Sequence, residues 1–293
     1  MRVQDILSAV GSASLLGSPD QQARSLFTFG DSYTTTGFNA SSTQPSLSNP
    51  MGNPPLGQGT ASDSTNWVGY LATIYNETPV LSYNFAVFDA TVDNAVARGV
   101  PEDFVRQVST DFEPYYCRPS HEDPSVSEGS VSALFMIWFG INDALHIYSD
   151  PDPTTKTSLV LQSYFNQLTK LHACGGRSFV LINVPPTHRT PKFLAYRSWE
   201  RRLYEASIRD FNFQLHAAAL RWVGENSDSR IAIYDAWEFA SHILDHPGEY
   251  GFVDSSCIGE GCVWWDDFHP RSAFHQLLAA DIAVFLRTAF AQM

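Results

Sequence analysis

Leu26-Phe27-Thr28-Phe29 is a short apolar run that ends abruptly in Gly30-Asp31-Ser32-Tyr33. Four residues are too few for a helix, and the aromatic content is typical of a buried strand. Four further runs of this kind predict four more strands: Tyr83–Val87, Val131–Phe139, Phe179–Val184 and Ile231–Tyr234. Most of the runs lack strict apolar–polar alternation, which indicates burial on both faces of a parallel sheet.

Segments with helical periodicity separate these runs. Apolar side chains recur every three or four residues in four segments: Phe104–Phe112, Val160–Leu171, Tyr204–Trp222 and Leu278–Ala289. Strands that alternate with helices predict an α/β fold, in which helices cover both faces of the sheet through right-handed crossovers. Catalytic residues of such folds lie beyond the carboxyl ends of the strands. The ends of the predicted strands are therefore the places to search for a site.

The overall composition excludes several classes of protein. The chain has 293 residues, 44% of them hydrophobic and 17% charged, with a net charge of -13. These values are typical of a globular protein and argue against disorder or a coiled coil. An acidic chain is poorly suited to nucleic acid or anionic lipid, and no apolar run reaches the length of a membrane span. We predict no nucleic-acid or membrane partner, and we expect acidic substrates such as pectic uronates to be repelled.

The N-terminal residues have some features of a secretion signal. Arg2 precedes a segment of small and apolar residues, Ile6–Gly17, of the length found in signal-peptide cores. Residues 1–22 are thus predicted to be a signal peptide, cleaved between Gly17 and Ala23, or an N-terminal extension. Glycosylation sequons at Asn39 and Asn76 agree with secretion. We predict a secreted protein, with an intracellular location as the alternative.

The four cysteines favour an oxidising compartment. Cys117, Cys174, Cys257 and Cys262 allow three disulfide pairings. Cys257 and Cys262 enclose a short glycine-containing loop, which favours a local disulfide. The absence of a Cys-x-x-Cys pair argues against a zinc ribbon.

A serine and a histidine at opposite ends of the chain suggest nucleophilic catalysis. Ser32 follows the first predicted strand, but a serine hydroxyl needs a base to become a nucleophile. Among nine histidines, His269 has a carboxylate nearby in a turn-like setting, Asp266-Asp267-Phe268-His269-Pro270. An aspartate three residues before a histidine can reach its Nδ1 and leave Nε2 for the serine. Asp266 is the predicted partner, and Asp267 is a rival with less favourable spacing.

Asn142 follows the third predicted strand in Phe139-Gly140-Ile141-Asn142-Asp143. Its amide can donate to a developing oxyanion, an interaction worth about 3 kcal/mol in the transition state. Asp31 and Asp143 are expected to brace the site. Each motif alone is usually a simple turn, but their order on successive strand ends is far more specific.

These motifs resemble the GDSL/SGNH hydrolase superfamily, and within it the fungal carbohydrate esterase family 16 acetylesterases. The similar blocks lie within Phe27–Asn39, Ser82–Asn94, Phe139–Asp143 and Trp264–Pro270, so that they span nearly the whole chain. The resemblance implies a flavodoxin-like three-layer α/β/α sandwich with a five-stranded parallel sheet. It also implies hydrolysis of acetyl esters, often on sugars, without a cofactor or a metal.

The resemblance also assigns roles to individual residues. Ser32 would be the nucleophile, His269 the base and Asp266 its orienter, and the Ser32 N–H and Asn142 would donate to the oxyanion. No Gly-x-Ser-x-Gly elbow surrounds the nucleophile, which disfavours an α/β-hydrolase fold. Because nucleophile and base must meet, we predict that residues 23–293 form one hydrolase domain.

One position departs from the family pattern. The second block usually contains a glycine whose N–H is a third oxyanion donor, and Phe88 aligns with it here, followed by Asp89. Glycine often serves where φ is positive or a ligand comes close. A phenyl ring there would widen or select the substrate pocket, obstruct the oxyanion hole, or exclude water and so favour acyl transfer. Alternatively, Phe88 packs in the core.

The sequence therefore predicts a serine esterase that acts on a small-molecule ester, with acetylated sugars as the expected substrates. Two alternatives remain: an acyltransferase or esterase for a fungal secondary metabolite, and a non-hydrolytic protein that has kept the SGNH fold. Oligomeric state is not predicted. His242 and His246 have the spacing of metal ligands but no third ligand nearby, so no metal site is predicted. Trp67, Trp138 and Trp265 lie nearest the motifs as candidates for sugar stacking.

Overall fold

The computed structural model describes residues 23–117 and 133–290. Five parallel strands form one sheet in the order β2-β1-β3-β4-β5. The strands are β1 (Arg24–Gly30), β2 (Val80–Asn84), β3 (Leu134–Trp138), β4 (Ser178–Ile182) and β5 (Arg230–Tyr234). This strand order is that of the flavodoxin-like doubly wound folds, so the predicted fold class is confirmed.

Helices follow most of the strands. They are α1 (Trp67–Thr73), α2 (Ile141–Ile147), α3 (Pro153–Ala173), α4 (Pro191–Leu194), α5 (Ser198–Glu225), α6 (Ala236–Asp245) and α7 (Ser272–Ala289). Residues 104–116 form one further helical segment, with a π-helical stretch, Gln107–Phe112, between short α-helical turns, Phe104–Arg106 and Glu113–Tyr116. Two 3₁₀ turns, Thr187–Arg189 and Pro247–Tyr250, complete the regular elements of the described residues.

Alternate residues of β3 contact helices on opposite faces of the sheet. The Phe135 ring lies 5.9 Å from that of Phe112 in the helical segment 104–116, and its neighbour Phe179 of β4 lies 5.5 Å from Trp222 of α5. On the other face, Trp138 lies 6.0 Å from Trp67 of α1. The sheet is therefore buried between two helical layers, which explains why its strands are apolar on both sides.

Every strand differs from its predicted bounds by up to three residues, and the second and third strands differ most. The second begins and ends three residues earlier than the predicted Tyr83–Val87, because Phe85–Val87 leave the regular strand while still donating to the end of β1. The third ends at Trp138, since Phe139 and Gly140 already lead into α2. Apolar runs thus located the strands, but they continue into the buried loops that form the site.

Four cysteines form two disulfides, Cys117–Cys174 and Cys257–Cys262, and the predicted local bridge is confirmed. No helix within the two described ranges has both the length and the apolarity to cross a membrane. The predicted signal peptide or extension, residues 1–22, lies outside the described residues. The single hydrolase domain predicted for 23–293 stays a prediction.

Candidate active site

Ser32, His269 and Asp266 form one hydrogen-bonded chain at the carboxyl edge of the sheet. The Ser32 hydroxyl lies 2.9 Å from Nε2 of His269, and Nδ1 of His269 lies 2.8 Å from Oδ2 of Asp266. With Nδ1–H donating to the carboxylate, Nε2 is free to accept the serine proton. The spacing argument that paired Asp266 with His269 therefore predicted the geometry found.

A tight turn presents the Asp266 carboxylate to the histidine. Its Oδ1 accepts the backbone N–H groups of Phe268 and His269 at 2.7 and 2.6 Å. Partial burial opposes ionisation of Asp266, but these two N–H groups and the imidazole together hold its pKa below the usual value. The rival, Asp267, turns its carbonyl to the N–H of Lys192 at 2.8 Å, while Asp266 holds Nδ1.

Tyr33 connects the nucleophile segment to the histidine loop. Its hydroxyl donates to the Phe268 carbonyl at 2.6 Å, and its own carbonyl accepts the Trp67 indole N–H at 3.1 Å. The residues after Ser32 and before His269 are thereby joined directly. The Ser32–His269 and Tyr33–Phe268 hydrogen bonds together fix the nucleophile segment relative to the histidine loop.

Gln107 holds the last residue of β1. Its Oε1 accepts the Gly30 N–H at 3.1 Å, and its Nε2 donates to the Gly30 carbonyl at 2.8 Å. This buried amide completes the backbone hydrogen bonding of Gly30 two residues before Ser32. It sits at the start of a π-helical stretch, a feature frequently found at functional sites.

Asn142 lies in the first turn of α2 with its amide buried beside the nucleophile segment. Its Nδ2 donates to the Ala90 carbonyl at 3.0 Å and lies 3.5 Å from Oδ2 of Asp31. The second contact is at the limit of a hydrogen bond, which leaves one N–H available to a ligand. Gly140 allows this placement, because its φ is 113° and a Cβ there would lie 2.4 Å from the Phe211 ring.

The turn after Ala86 differs from the sequence prediction for Phe88. The Ala90 N–H donates to the Val87 carbonyl at 3.3 Å, which closes a β-turn with Phe88 and Asp89 at its centre. The positive φ, 57°, falls on Asp89 and not on Phe88. The position that would favour glycine is therefore one residue later than predicted. The alternative in which Phe88 packs in the core is wrong, since its side chain is 44% exposed.

Two buried carboxyl groups lie behind the candidate oxyanion site. Burial raises the pKa of Asp31 to about 8, and the charges of Asp143 and Asp89 act in the same direction. Burial also raises the pKa of Asp143 to about 7, against the opposing N–H of Val92. Both groups are largely neutral in mildly acidic solution, so they add little negative charge where an anion would develop. Their contacts fit the expected bracing role.

Other candidates from the sequence lie apart from this chemistry. No group of three or more potential metal ligands occurs in the described parts of the chain. His242 and His246 lie 5.0 Å apart between ring centroids. Trp67 and Trp138 are buried in the core, whereas Trp265, next to Asp266, is 45% exposed.

The sequence missed the contributions of Tyr33 and Gln107. Tyr33 carried no signal beyond its place after Ser32. Gln107 did carry one, because it is a polar residue on the apolar face shared by Phe104 and Val108. A buried amide on such a face indicates a backbone group that needs partners.

Known proteins resemble this chain in sequence and in fold. Residues 26–282 match the family model described as GDSL-like lipase/acylhydrolase. An acetylesterase of Thermothelomyces thermophilus is 36% identical over 271 residues, covering 90% of this chain and 88% of that protein. An acetylesterase of Hypocrea jecorina is 22% identical, covering 95% and 93%. A variant of Axe2, an acetyl-xylooligosaccharide esterase from Geobacillus, shares the fold with a TM-score of 0.51 at 16% identity, covering 94% and 97%.

Proposed function

Because the chain belongs to the GDSL-like lipase/acylhydrolase family and is a carboxylic ester hydrolase, we propose that it removes acetyl groups from sugars through an acyl-enzyme on Ser32. The observation that carries the proposal is the hydrogen-bonded chain from Ser32 through His269 to Asp266. Nothing in the packing of the core requires these three polar side chains to meet at the end of a strand.

The first half of the reaction forms the acyl-enzyme. His269 Nε2 takes the proton of Ser32 as Oγ attacks the ester carbonyl carbon, and Asp266 stabilises the resulting imidazolium. The carbonyl oxygen becomes an oxyanion, which accepts from the Ser32 N–H, the Asn142 amide and an N–H of the Phe88–Asp89 turn. The backbone N–H groups of Ser32, Phe88 and Asp89 have no acceptor in the part of the chain that the structure describes, and Asn142 has a second N–H beside the one that donates to the Ala90 carbonyl. Collapse of the intermediate breaks the ester bond, and His269 protonates the leaving alcohol.

The second half releases the acid. Water takes the place of the alcohol, His269 accepts its proton, and the new oxyanion is held by the same donors. Collapse returns the proton to Ser32 and frees acetate. Each proton taken by His269 is returned within the same half-reaction. The mechanism therefore needs only these residues and water.

The choice of acetyl esters of sugars follows from the relatives. The protein with 36% identity is named an acetylesterase, and the Geobacillus enzyme with the same fold acts on acetylated xylo-oligosaccharides. The exposed ring of Trp265 lies next to the histidine loop, where it can stack on a pyranose ring. The disulfides further support secretion, because such bridges persist in oxidising compartments.

The exposure of Phe88 favours hydrolysis over acyl transfer. Acyl transfer to an alcohol needs a site from which water is kept out, but the Phe88 side chain is 44% exposed. A half-exposed ring at the edge of the site leaves water a path to the acyl-enzyme. We therefore propose that Phe88 lines the substrate pocket, beside the acyl group or the alcohol.

The test is release of acetate from p-nitrophenyl acetate and from acetylated xylo-oligosaccharides. We expect turnover by the wild-type protein, a loss of about 10⁴-fold or more in Ser32→Ala, and no loss in the control Ser158→Ala on the exposed side of α3. A Ser32→Ala variant with wild-type turnover would refute the proposal. To distinguish hydrolysis from acyl transfer, the assay is repeated with an added alcohol, and free acetate and the new acetyl ester are measured separately.

A further inference from the structure

An exposed group of basic and aromatic residues borders the loop that carries His269. We define this basic–aromatic patch as Lys192, Tyr196, Arg197, Trp199, Arg201 and Arg202. We propose that the patch binds the carboxylates and sugar rings of an acidic polysaccharide, so that the preferred substrate is an acetylated xylan with uronic acid side groups. This inference rests on the proposed function and specifies the substrate of the same site.

The patch begins in direct contact with the catalytic loop. The Lys192 N–H donates to the Asp267 carbonyl at 2.8 Å, and its Nζ lies 5.2 Å from the Phe268 ring centroid. Both partners lie between Asp266 and His269. A polymer chain that presents an acetyl group to Ser32 must extend over the neighbouring surface, and the residues after Lys192 form part of that surface.

The charge of the patch is opposite to that of the whole protein. Between Lys192 and Arg202 there are four basic residues and one acidic residue, in a chain with a net charge of -13. The acidic residue, Glu200, accepts the backbone N–H of Arg197 at 3.0 Å, which places its carboxylate at the start of α5. The described residues include no acidic side chain that forms an ion pair with any of these four cations.

Arg201 lies within electrostatic range of His188. Burial lowers the pKa of the His188 imidazole to about 4, and the positive charge of Arg201 contributes in the same direction. His188 follows β4 at the carboxyl edge of the sheet. The four cations thus lie within one short stretch of chain that begins at the catalytic loop with Lys192.

The aromatic members present ring faces. Trp199 is 49% exposed and Tyr196 is 38% exposed, and the Tyr196 ring is held 4.8 Å from the ring of Phe193. Half-buried rings of this kind offer a flat face to a sugar ring, and arginine forks bind carboxylates through paired hydrogen bonds. The combination favours an acidic polysaccharide.

The positive charge of the basic–aromatic patch changes the prediction that acidic substrates are repelled. The acidic composition led to the expectation that uronates are repelled. Within about 10 Å, however, a local cluster of charges outweighs distant ones that salt screens. An acidic polymer is therefore repelled by most of the surface and attracted by the basic–aromatic patch, which would orient it over the catalytic loop.

Two double variants with equal charge changes test the inference. Arg197→Gln/Arg202→Gln removes two exposed patch arginines, and Arg221→Gln/Arg230→Gln removes two exposed arginines elsewhere. The substrates are acetylated glucuronoxylan and the same polymer after chemical reduction of its carboxyl groups. For the wild-type protein we expect kcat/KM to be about threefold to tenfold higher on the native polymer. The patch variant should lose this ratio, and the control variant should keep it.

Two outcomes would overturn the inference. One is a wild-type ratio near one. The other is an equal loss of the ratio in both double variants, which would assign the effect to net charge. Trp199→Ala should weaken use of both polymers alike, because stacking does not depend on the carboxyl groups.

Direct binding separates this inference from the proposed function. Affinity electrophoresis of the Ser32→Ala protein in gels with native or carboxyl-reduced polymer measures binding without turnover. Stronger retardation by the native polymer supports binding of uronic acid groups by the patch, even if the wild-type protein cleaves no ester. Turnover without such retardation contradicts the binding role of the patch but leaves the proposed function intact. Binding to vesicles of phosphatidylcholine and phosphatidylserine, lost in the patch variant without any polymer preference, would assign the surface to lipid and refute the proposal.

Discussion

The hydroxyl of Ser32 lies 2.9 Å from Nε2 of His269, although 237 residues separate them in the chain. A second bond, from the Tyr33 hydroxyl to the Phe268 carbonyl at 2.6 Å, joins their neighbours. The alignment therefore depends on the backbone of two loops as well as on the reacting side chains. Variants that disturb these loops should reduce the rate of acylation more than the binding of substrate.

Substitution of Asp266 and of Asp267, one at a time, should show which of the two aspartates orients His269. In Asp266→Asn, we expect kcat to fall by about 10²- to 10⁴-fold, because an amide no longer fixes the Nδ1–H tautomer. The matched variant Asp267→Asn should stay within about twofold, since the Asp267 contact with Lys192 uses the backbone carbonyl. Steady-state kinetics on p-nitrophenyl acetate make the comparison. Equal losses in the two variants would contradict the assignment of Asp266.

Gln107 is expected to act as a positioning residue for the nucleophile. Gln107→Leu leaves the Gly30 N–H and carbonyl without their amide partner, so we predict a roughly tenfold or greater fall in kcat with little change in KM. Unfolding should become easier by about 1–3 kcal/mol.

The control for this effect is Gln167→Leu. Gln167 is also buried and lies on α3, but its Oε1 has no hydrogen-bond partner among the described residues. The rate at which a fluorophosphonate labels Ser32 distinguishes a positioning role of Gln107 from a purely structural one. A purely structural role would lower stability but would not slow labelling of the folded protein. Equal labelling rates at equal folded fraction would reject the positioning role.

The Phe88–Asp89 turn should respond differently at its two positions. Asp89→Gly relieves a positive φ, which is worth about 1 kcal/mol of stability, and removes a charge that acts on Asp31. We therefore expect higher stability and a several-fold higher kcat/KM on small acetates. Phe88→Gly should leave stability nearly unchanged and alter KM for aryl acetates. Unaltered activity of Phe88→Gly on an aryl acetate would show that the ring does not control the site.

Asp31 predicts how stability depends on pH. Its pKa is raised from 3.8 to about 8, so the folded protein holds a proton that the unfolded chain releases between these values. This carboxyl therefore lowers the free energy of unfolding as pH rises through that range, by up to about 1.4 kcal/mol per pH unit. Asp31→Asn should be more stable than wild type at about pH 8 and nearly equal at about pH 4. Urea unfolding at both values tests this, and parallel pH curves would contradict it.

Particular residues show what the sequence could predict. The five strands and the Asp266–His269 pair follow from local patterns: short apolar runs and a three-residue spacing. The meeting of Ser32 with His269 was implied by the order of motifs and by the family resemblance. These features depend on few residues each, so a single sequence contains enough to identify them.

Other features depend on contacts between distant segments. The place of the positive φ at Asp89 is set by the turn that follows β2, whose end was predicted three residues late. Gln107 reaches Gly30 across 77 residues, so the sequence indicates a buried amide but not the backbone group that it holds. The basic–aromatic patch is readable as a charged stretch, but its contact with the catalytic loop through Lys192 and Asp267 is tertiary.

The central claim is that Ser32 is the nucleophile of an ester hydrolase. The most direct measurement is intact-protein and peptide mass spectrometry after reaction with a fluorophosphonate. The account predicts one adduct, located on the peptide that contains Ser32, with loss of esterase activity in proportion to labelling and no adduct in folded Ser32→Ala. A folded protein that hydrolyses p-nitrophenyl acetate yet carries no adduct on Ser32, or carries it on another serine, would contradict the account.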